Sequence, residues 1–377
     1  MKSKVLVIAG LPMIAVTYGL SRFSYGLLLP GINQTLHMNQ ATSGIVSALS
    51  YIAYCLAIVT AMVVANKWPP RTILMIAGIS AITGLGLIAG SFNAVLLGTG
   101  VFLAGLSTGF SSPPYADIVD SQIEKSKQNQ VNSWINSGTS IGTALAGLTA
   151  IWLVDNWRGA YVLFMGIAIL VTAVNYKVTP KQEKTKHQLR LKLSKKERGH
   201  AVKLGIAALV IGFSCSAYWL FSRDFMLHVD TVSVYVGKWF WVIIGATGIL
   251  GGTVGIFIHK FGITMAYIMS IVALSTASLL LSIPALNNFL GLLSPMLFGS
   301  AYIFMSGVLL VWGISVFQDN PSFGLGIPFF LLAFGQAIGA AVSGIVASWI
   351  GYETLFFGAA LVGYATLLLK PDTRSKK

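Results

Sequence analysis

A chain of 377 residues with 55% hydrophobic and only 10% charged side chains has too little polar surface to cover a water-soluble globule, where charged residues approach a quarter. Lipid is therefore the expected solvent for most of it. No soluble domain is left to carry nucleic-acid binding, so the formal charge of +14 is read as basic loops held on the inner side of a membrane.

About twelve apolar segments are long enough to cross a bilayer. Lys2 and Lys4 lead into the first, residues 5–29, which has no small-residue cleavage site and so reads as a helix rather than a signal peptide. The next five cover about 40–65, 72–90, 93–119, 131–154 and 157–176. After a polar passage the second six cover about 202–225, 234–258, 263–283, 289–317, 323–350 and 352–369. Cys55 and Cys215 fall inside apolar runs, which argues against a disulfide framework or a thiolate metal site.

The polar passage, residues 177–203, holds ten Lys/Arg against two Glu and cannot form a core of its own. It divides the chain into an N-terminal bundle (1–176), a basic linker suited to anionic membrane lipids (177–203) and a C-terminal bundle (204–377). With Lys2 and Lys4 in the cytoplasm, Lys67, Arg71, Lys125, Lys127, Lys260 and the tail from Lys370 to Lys377 fall on the same side. The opposite loops carry Arg158, with Arg223 and Lys238 near helix ends. Both termini are thus expected inside.

The halves echo each other. ANKWPPRTILMI after the second segment answers IHKFGITMAYIM after the eighth. Gly138, Gly142 and Gly147 of the fifth answer Gly335, Gly339 and Gly344 of the eleventh. A spacing of roughly 195 residues between matching elements marks an internal duplication, and duplicated six-helix halves are a transporter architecture.

These features, with the Asn156-Trp157-Arg158 turn, make the chain resemble the major facilitator superfamily over nearly its whole length. The resemblance implies an all-α membrane protein of twelve helices in two pseudo-symmetric six-helix bundles. It also implies a secondary carrier working by alternating access, with a proton as a candidate coupling ion. The family's gating loop between helices two and three, Gly-x-Leu-Ala-Asp-Arg-x-Gly-Arg-Arg, stands here as MVVANKWPPR, with Asn66 in place of the acid and Lys67 and Arg71 as bases. The second copy, GIFIHKFGIT, has His259 and Lys260. The antiporter pattern of helix five stands as GTSIGTALAG, with Thr143 for its proline, and Val101 replaces the family's helix-four arginine. GLSRFSYGLLLP and SSPPY further resemble a bacterial branch that includes cyanate-permease-like proteins, without giving a substrate.

Arg22 is the most informative single residue, because a guanidinium in a membrane helix costs about 3 kcal/mol by insertion scales unless it faces protein or water. Eight residues from Pro30, it is expected about 12 Å inside the helix end. Tyr18, Arg22 and Tyr25 share a face. Arg22 reads either as a cavity cation for an anionic or polar solute or as a structural Arg satisfied between helices. Asp224, beside Arg223 in the seventh segment, is a candidate partner for Arg22 in an outer gate, or else an acid solvated at the interface. Asp117, at the end of segment four, is expected to pair with Lys67 or Arg71.

Thr108, Ser112 and Tyr115, then Tyr218 and Ser222, then Tyr302 and Ser306, mark a candidate cavity wall on segments four, seven and ten. Pro113 and Pro114 are expected to kink segment four. Gly245, Gly248, Gly251, Gly252 and Gly255 are expected to let segment eight approach its neighbours. Trp157, Trp239, Trp241 and Trp349 read as interface anchors.

No His-Glu-x-x-His, phosphate loop, paired intramembrane carboxylates or Gly-x-Ser-x-Gly elbow is present, which argues against an enzyme and gives no motif for a cofactor or metal. The reading is a monomeric multi-pass carrier of the cell membrane that takes a small solute and has no nucleic-acid partner. A hydrophobic-drug exporter and a non-transporting membrane sensor or lipid-handling protein are the alternatives.

Overall fold

Thirty-four residues, Ser3–Leu36, wind into the first helix, α1, which runs through Pro12 and Pro30. In this computed structural model residues 3–64, 67–153, 156–179, 195–317 and 321–371 are described. The described elements are all helical. The chain divides into two units, Met1–His187 and Gln188–Lys377. Asn66, and the linker residues from 180 to 194, lie outside the described residues.

The first unit continues with α2 (Gln40–Val64), α3 (Pro70–Ala89), α4 (Ala94–Gln122), α5 (Lys125–Asn136), α6 (Gly138–Trp152) and α7 (Trp157–Val178). The second contains α8 (Lys195–His228), α9 (Val234–Phe261), α10 (Ile263–Leu281), α11 (Asn288–Val316), α12 (Pro321–Ile350) and α13 (Tyr352–Leu369). Among the described residues eleven of the twelve expected segments are helices long and apolar enough to span a membrane. The difference lies in the fifth segment. Its first part, KSKQNQVNSWIN, is polar and forms α5, and Ser137 carries the helical backbone on into the apolar α6. The apolar α6 has 15 residues, about 22 Å of rise, short of a bilayer core.

Two other boundaries move. Lys195–Lys203, expected in the linker, is the start of α8, where Glu197 in the first turn complements the helix dipole. Pro30 does not end α1, because a membrane helix tolerates one lost amide donor and buried Ile32 keeps the next turn packed. Arg22 therefore lies 14 residues from Leu36, about 21 Å inside the end rather than 12 Å.

The duplication extends to packing. Asn93 caps α4 by accepting from Leu96 N–H at 2.8 Å, and Asn287 caps α11 by accepting from Leu290 N–H at 3.0 Å. In the same register, a Cβ on Gly105 would meet Ser50 O of α2 at 2.4 Å, and one on Gly299 would meet Ile244 O of α9 at 2.2 Å. The next pair along is inverted: Gly109 faces Ala57, whereas Ile303 faces Gly251. Close approach survives because one partner in each pair stays small. Gly138 and Gly142 press on Leu11 and Ala15 of α1, as Gly335 and Gly339 press on Leu209 and Phe213 of α8.

Some expected anchors are core residues. Trp241 is fully buried and Trp157 is 4% exposed, whereas Trp349 is 83% exposed. Trp157 donates its indole N–H to Thr35 Oγ1 at 3.0 Å, and Arg158 stacks on its ring while donating to Ser91 O at 2.7 Å. That turn pins α7 to the end of α1 and to the α3–α4 connection. In α9, Gly251 meets Ile303, but a Cβ on Gly252 or Gly255 would touch nothing within 4 Å. These two serve no close helix contact.

Candidate functional site

In α1 the stretch Ala15–Phe23 is wound as a π-helix, a widened geometry that recurs at functional sites. Gly19 lies within it, backbone to backbone with Gly142 of α6. Arg22 lies near its end and is 7% exposed. Its guanidinium carbon is 4.6 Å from the ring centroids of both Tyr51 and Tyr54, and 5.4 Å from that of Phe23. Tyr51 and Tyr54 are three residues apart on α2, so one helical face supplies both rings. Aromatic faces hold a buried cation without neutralising it, each contributing roughly 0.5–2 kcal/mol.

Around this cation the first unit is polar where a membrane bundle is normally apolar. Tyr18 packs edge-on to Tyr54, and its hydroxyl is 2.8 Å from Ser112 Oγ. Thr108 donates to Thr17 O at 2.9 Å, and Thr17 and Ser111 hydroxyls meet at 3.0 Å. The Ser21 and Ser50 hydroxyls, each next in sequence to a member of the Arg22 cluster, are buried without a hydrogen-bond partner among the described residues.

Other expected site residues point into packing. Tyr25, 3% exposed, donates to Ser43 O of α2 at 3.3 Å. Tyr115 donates to Asn175 Oδ1, and Asn175 in turn donates to Ala9 O at 3.0 Å, so the pair ties α4 and α7 to α1. Lys67 is exposed, Arg71 lies over the Tyr176 ring at 4.2 Å, and Asp117 is half-buried.

In the second unit Tyr218 is fully buried, stacked on Phe298 at 3.8 Å with its hydroxyl 2.7 Å from Ser294 Oγ. Ser222 Oγ is buried without a hydrogen-bond partner among the described residues. Tyr302 accepts from Gln336 Nε2 at 3.1 Å and meets Trp219 edge-on at 5.1 Å, while Ser306 donates to Tyr302 O at 2.9 Å. Asp224, 6% exposed, accepts from the Tyr352 hydroxyl of α13. His228 Nδ1 is 2.7 Å from Asp224 O; since a carbonyl only accepts, that nitrogen is the donor. Asp224 is thus engaged inside its own unit rather than left in solvent, and Arg223 beside it is 7% exposed, not at the surface. His259 and Lys260 are exposed.

The sequence reading missed Tyr51, Tyr54, Asn175, Tyr352 and Gln336. The tyrosine pair at i, i+3 in α2 was a usable signal; Tyr352, 128 residues from Asp224, carried none. The two units also differ at matching places. In the α2-to-α9 register fixed by Ser50 and Ile244, Tyr51 and Tyr54 fall on Gly245 and Gly248. The cage around Arg22 therefore has no copy in the second unit.

Among solved structures the chain is similar to the nucleoside transporter NupG (TM-score 0.77, 16% identity, 97% of this chain and 99% of that one). It is also similar to a POT family transporter in complex with 5-aminolevulinic acid (TM-score 0.79, 11% identity, 97% and 94%). A search of curated proteins found no match to the sequence. Residues 13–331 match the profile of the Major Facilitator Superfamily, and with a duplicated helical bundle and likeness to transporters over nearly the full length, the chain is a member of that superfamily.

Proposed function

We propose that this protein is a secondary carrier that moves a small polar or anionic solute across the cell membrane by alternating access. The observation that carries the reading is Arg22: a buried cation in π-wound helix, its guanidinium carbon 4.6 Å from the rings of both Tyr51 and Tyr54. Tyr18 and Ser112 add neutral hydroxyls on the same face of α1 and on α4. The fold neighbours named above are a nucleoside transporter and a transporter in complex with 5-aminolevulinic acid, and nucleosides and that acid are small polar solutes. Six helices per half, the linker at 177–203 and cytoplasmic termini complete the proposal, with a monomer as the working unit.

A hydrophobic-drug exporter is the second reading, favoured by the packed rings of Trp219, Phe298 and Tyr302. A thermal-shift screen of carboxylates, nucleosides, zwitterions and cationic dyes separates the two, since a ligand at 100 times its Kd stabilises by about 2.7 kcal/mol. The carrier reading expects an anionic or polar hit whose shift is lost in Arg22→Ala and which proteoliposomes take up. Shifts from dyes alone, unchanged in Arg22→Ala, would favour export of hydrophobic compounds.

A further inference from the structure

We propose that Lys67, Arg71 and Lys177 form a headgroup site for an anionic glycerophospholipid at one end of the α3–α7 pair. These two helices are in direct contact, since a Cβ on Gly78 would fall 2.4 Å from Thr172. At their shared end Arg71, the second residue of α3, lies 4.2 Å over the ring of Tyr176. Stacking fixes the plane of the guanidinium, and a planar fork of donors matches a phosphate better than an ammonium does. Lys67, four residues before Arg71, and Lys177, next in sequence to Tyr176, are both exposed. The first turn of α3 contains no acid, and Lys177 is the basic residue of the last turn of α7. The positive charge of this patch is thus unopposed by its own helices.

Depth places the patch among headgroups. Trp68 is 43% exposed and Tyr176 57% exposed, as aromatics are at the membrane interface. Toward the bilayer centre the same helix faces turn apolar. Ile79 follows Arg71 by two turns of α3, and Ile169 precedes Tyr176 by two turns of α7; they are 58% and 47% exposed. Cations at the top and aliphatic side chains below match a lipid with a charged phosphate and acyl chains rather than a soluble anion. The site is independent of what the carrier transports.

Native mass spectrometry of the delipidated full chain tests this, titrated with dioleoyl phosphatidylglycerol, dioleoyl phosphatidylcholine or glycerol 3-phosphate. Each cation near a membrane surface contributes about fivefold to anionic-lipid affinity. Phosphatidylglycerol is expected to bind at least about fivefold more tightly than phosphatidylcholine. Lys177→Gln, an exposed change that does not threaten folding, is expected to cost about fivefold. Arg71→Gln with Lys177→Gln is expected to cost about 25-fold, and Lys125→Gln with Lys127→Gln to leave the preference intact. Equal binding of the two lipids, wild-type preference in the Lys177→Gln and double variants, loss of preference in the Lys125/Lys127 control, or glycerol 3-phosphate binding as well as the lipid would overturn the proposal.

Discussion

The Arg22 guanidinium carbon lies 4.6 Å from the centroid of the Tyr54 ring, and Tyr51 holds it at the same distance. If those rings are what compensates the buried charge, Tyr51→Leu and Tyr54→Leu each cost roughly 0.5–2 kcal/mol when Arg22 is present. The cost should largely vanish in an Arg22→Met background, where no cation is left to hold. A double-mutant cycle on detergent-solubilised protein, read by unfolding, measures that coupling. A coupling indistinguishable from zero would show that the rings merely fill space.

Paired glycine contacts give a second expectation. A methyl on Gly142 would come 2.3 Å from Ala15 O, and one on Gly335 would come 1.9 Å from Leu209 O. Since the clash is with backbone, neither side can yield by rotating a side chain. Gly142→Ala and Gly335→Ala should therefore each destabilise by about 1–3 kcal/mol. Gly166→Ala, whose Cβ would meet nothing within 4 Å, should leave the unfolding midpoint unchanged or slightly raise it. A neutral Gly142→Ala or Gly335→Ala would mean that these helix pairs can separate freely.

Hydrophobic runs and basic loops made the helices legible, because in lipid every spanning segment must satisfy its own backbone and advertises itself by composition. The fifth segment advertises itself less clearly: KSKQNQVNSWIN precedes the apolar stretch and runs into its helix without being hydrophobic. Arg22 stood out as a charge out of place, whereas its partners Tyr51 and Tyr54 looked like ordinary apolar filling. Tyr25 and Tyr115 shared the helical spacing of a cavity wall but face Ser43 and Asn175. Spacing fixes which side chains share a face and says nothing of what lies opposite.

Tyr352 and Asp224 join α13 to α8 through a hydrogen bond to a buried carboxylate. Bonds to charged groups contribute about 1.5–3 kcal/mol, so Tyr352→Phe should lower stability by an amount in that range. Asp224→Asn should cost less, because an amide oxygen can still accept from the tyrosine. The two changes together should cost little more than Tyr352→Phe alone, since both act on one contact. Fully additive losses would show that each residue is held by something else.

Cys55 and Cys215 are 6% and 3% exposed, and a buried thiol reacts only when the structure around it opens. A membrane-permeant maleimide should therefore label neither in the folded protein and both after denaturation. Arg22→Ala removes the group that Tyr51 and Tyr54 enclose on the same helix as Cys55, and the void left in a polar neighbourhood should admit water. Labelling of Cys55 is expected to rise severalfold in that variant, while Cys215, in the other unit, stays protected. Mass-spectrometric counting of modified thiols reads both at once. Equal gains at the two cysteines would point to general loosening of the fold, and no gain at either would mean that α2 closes over the missing side chain.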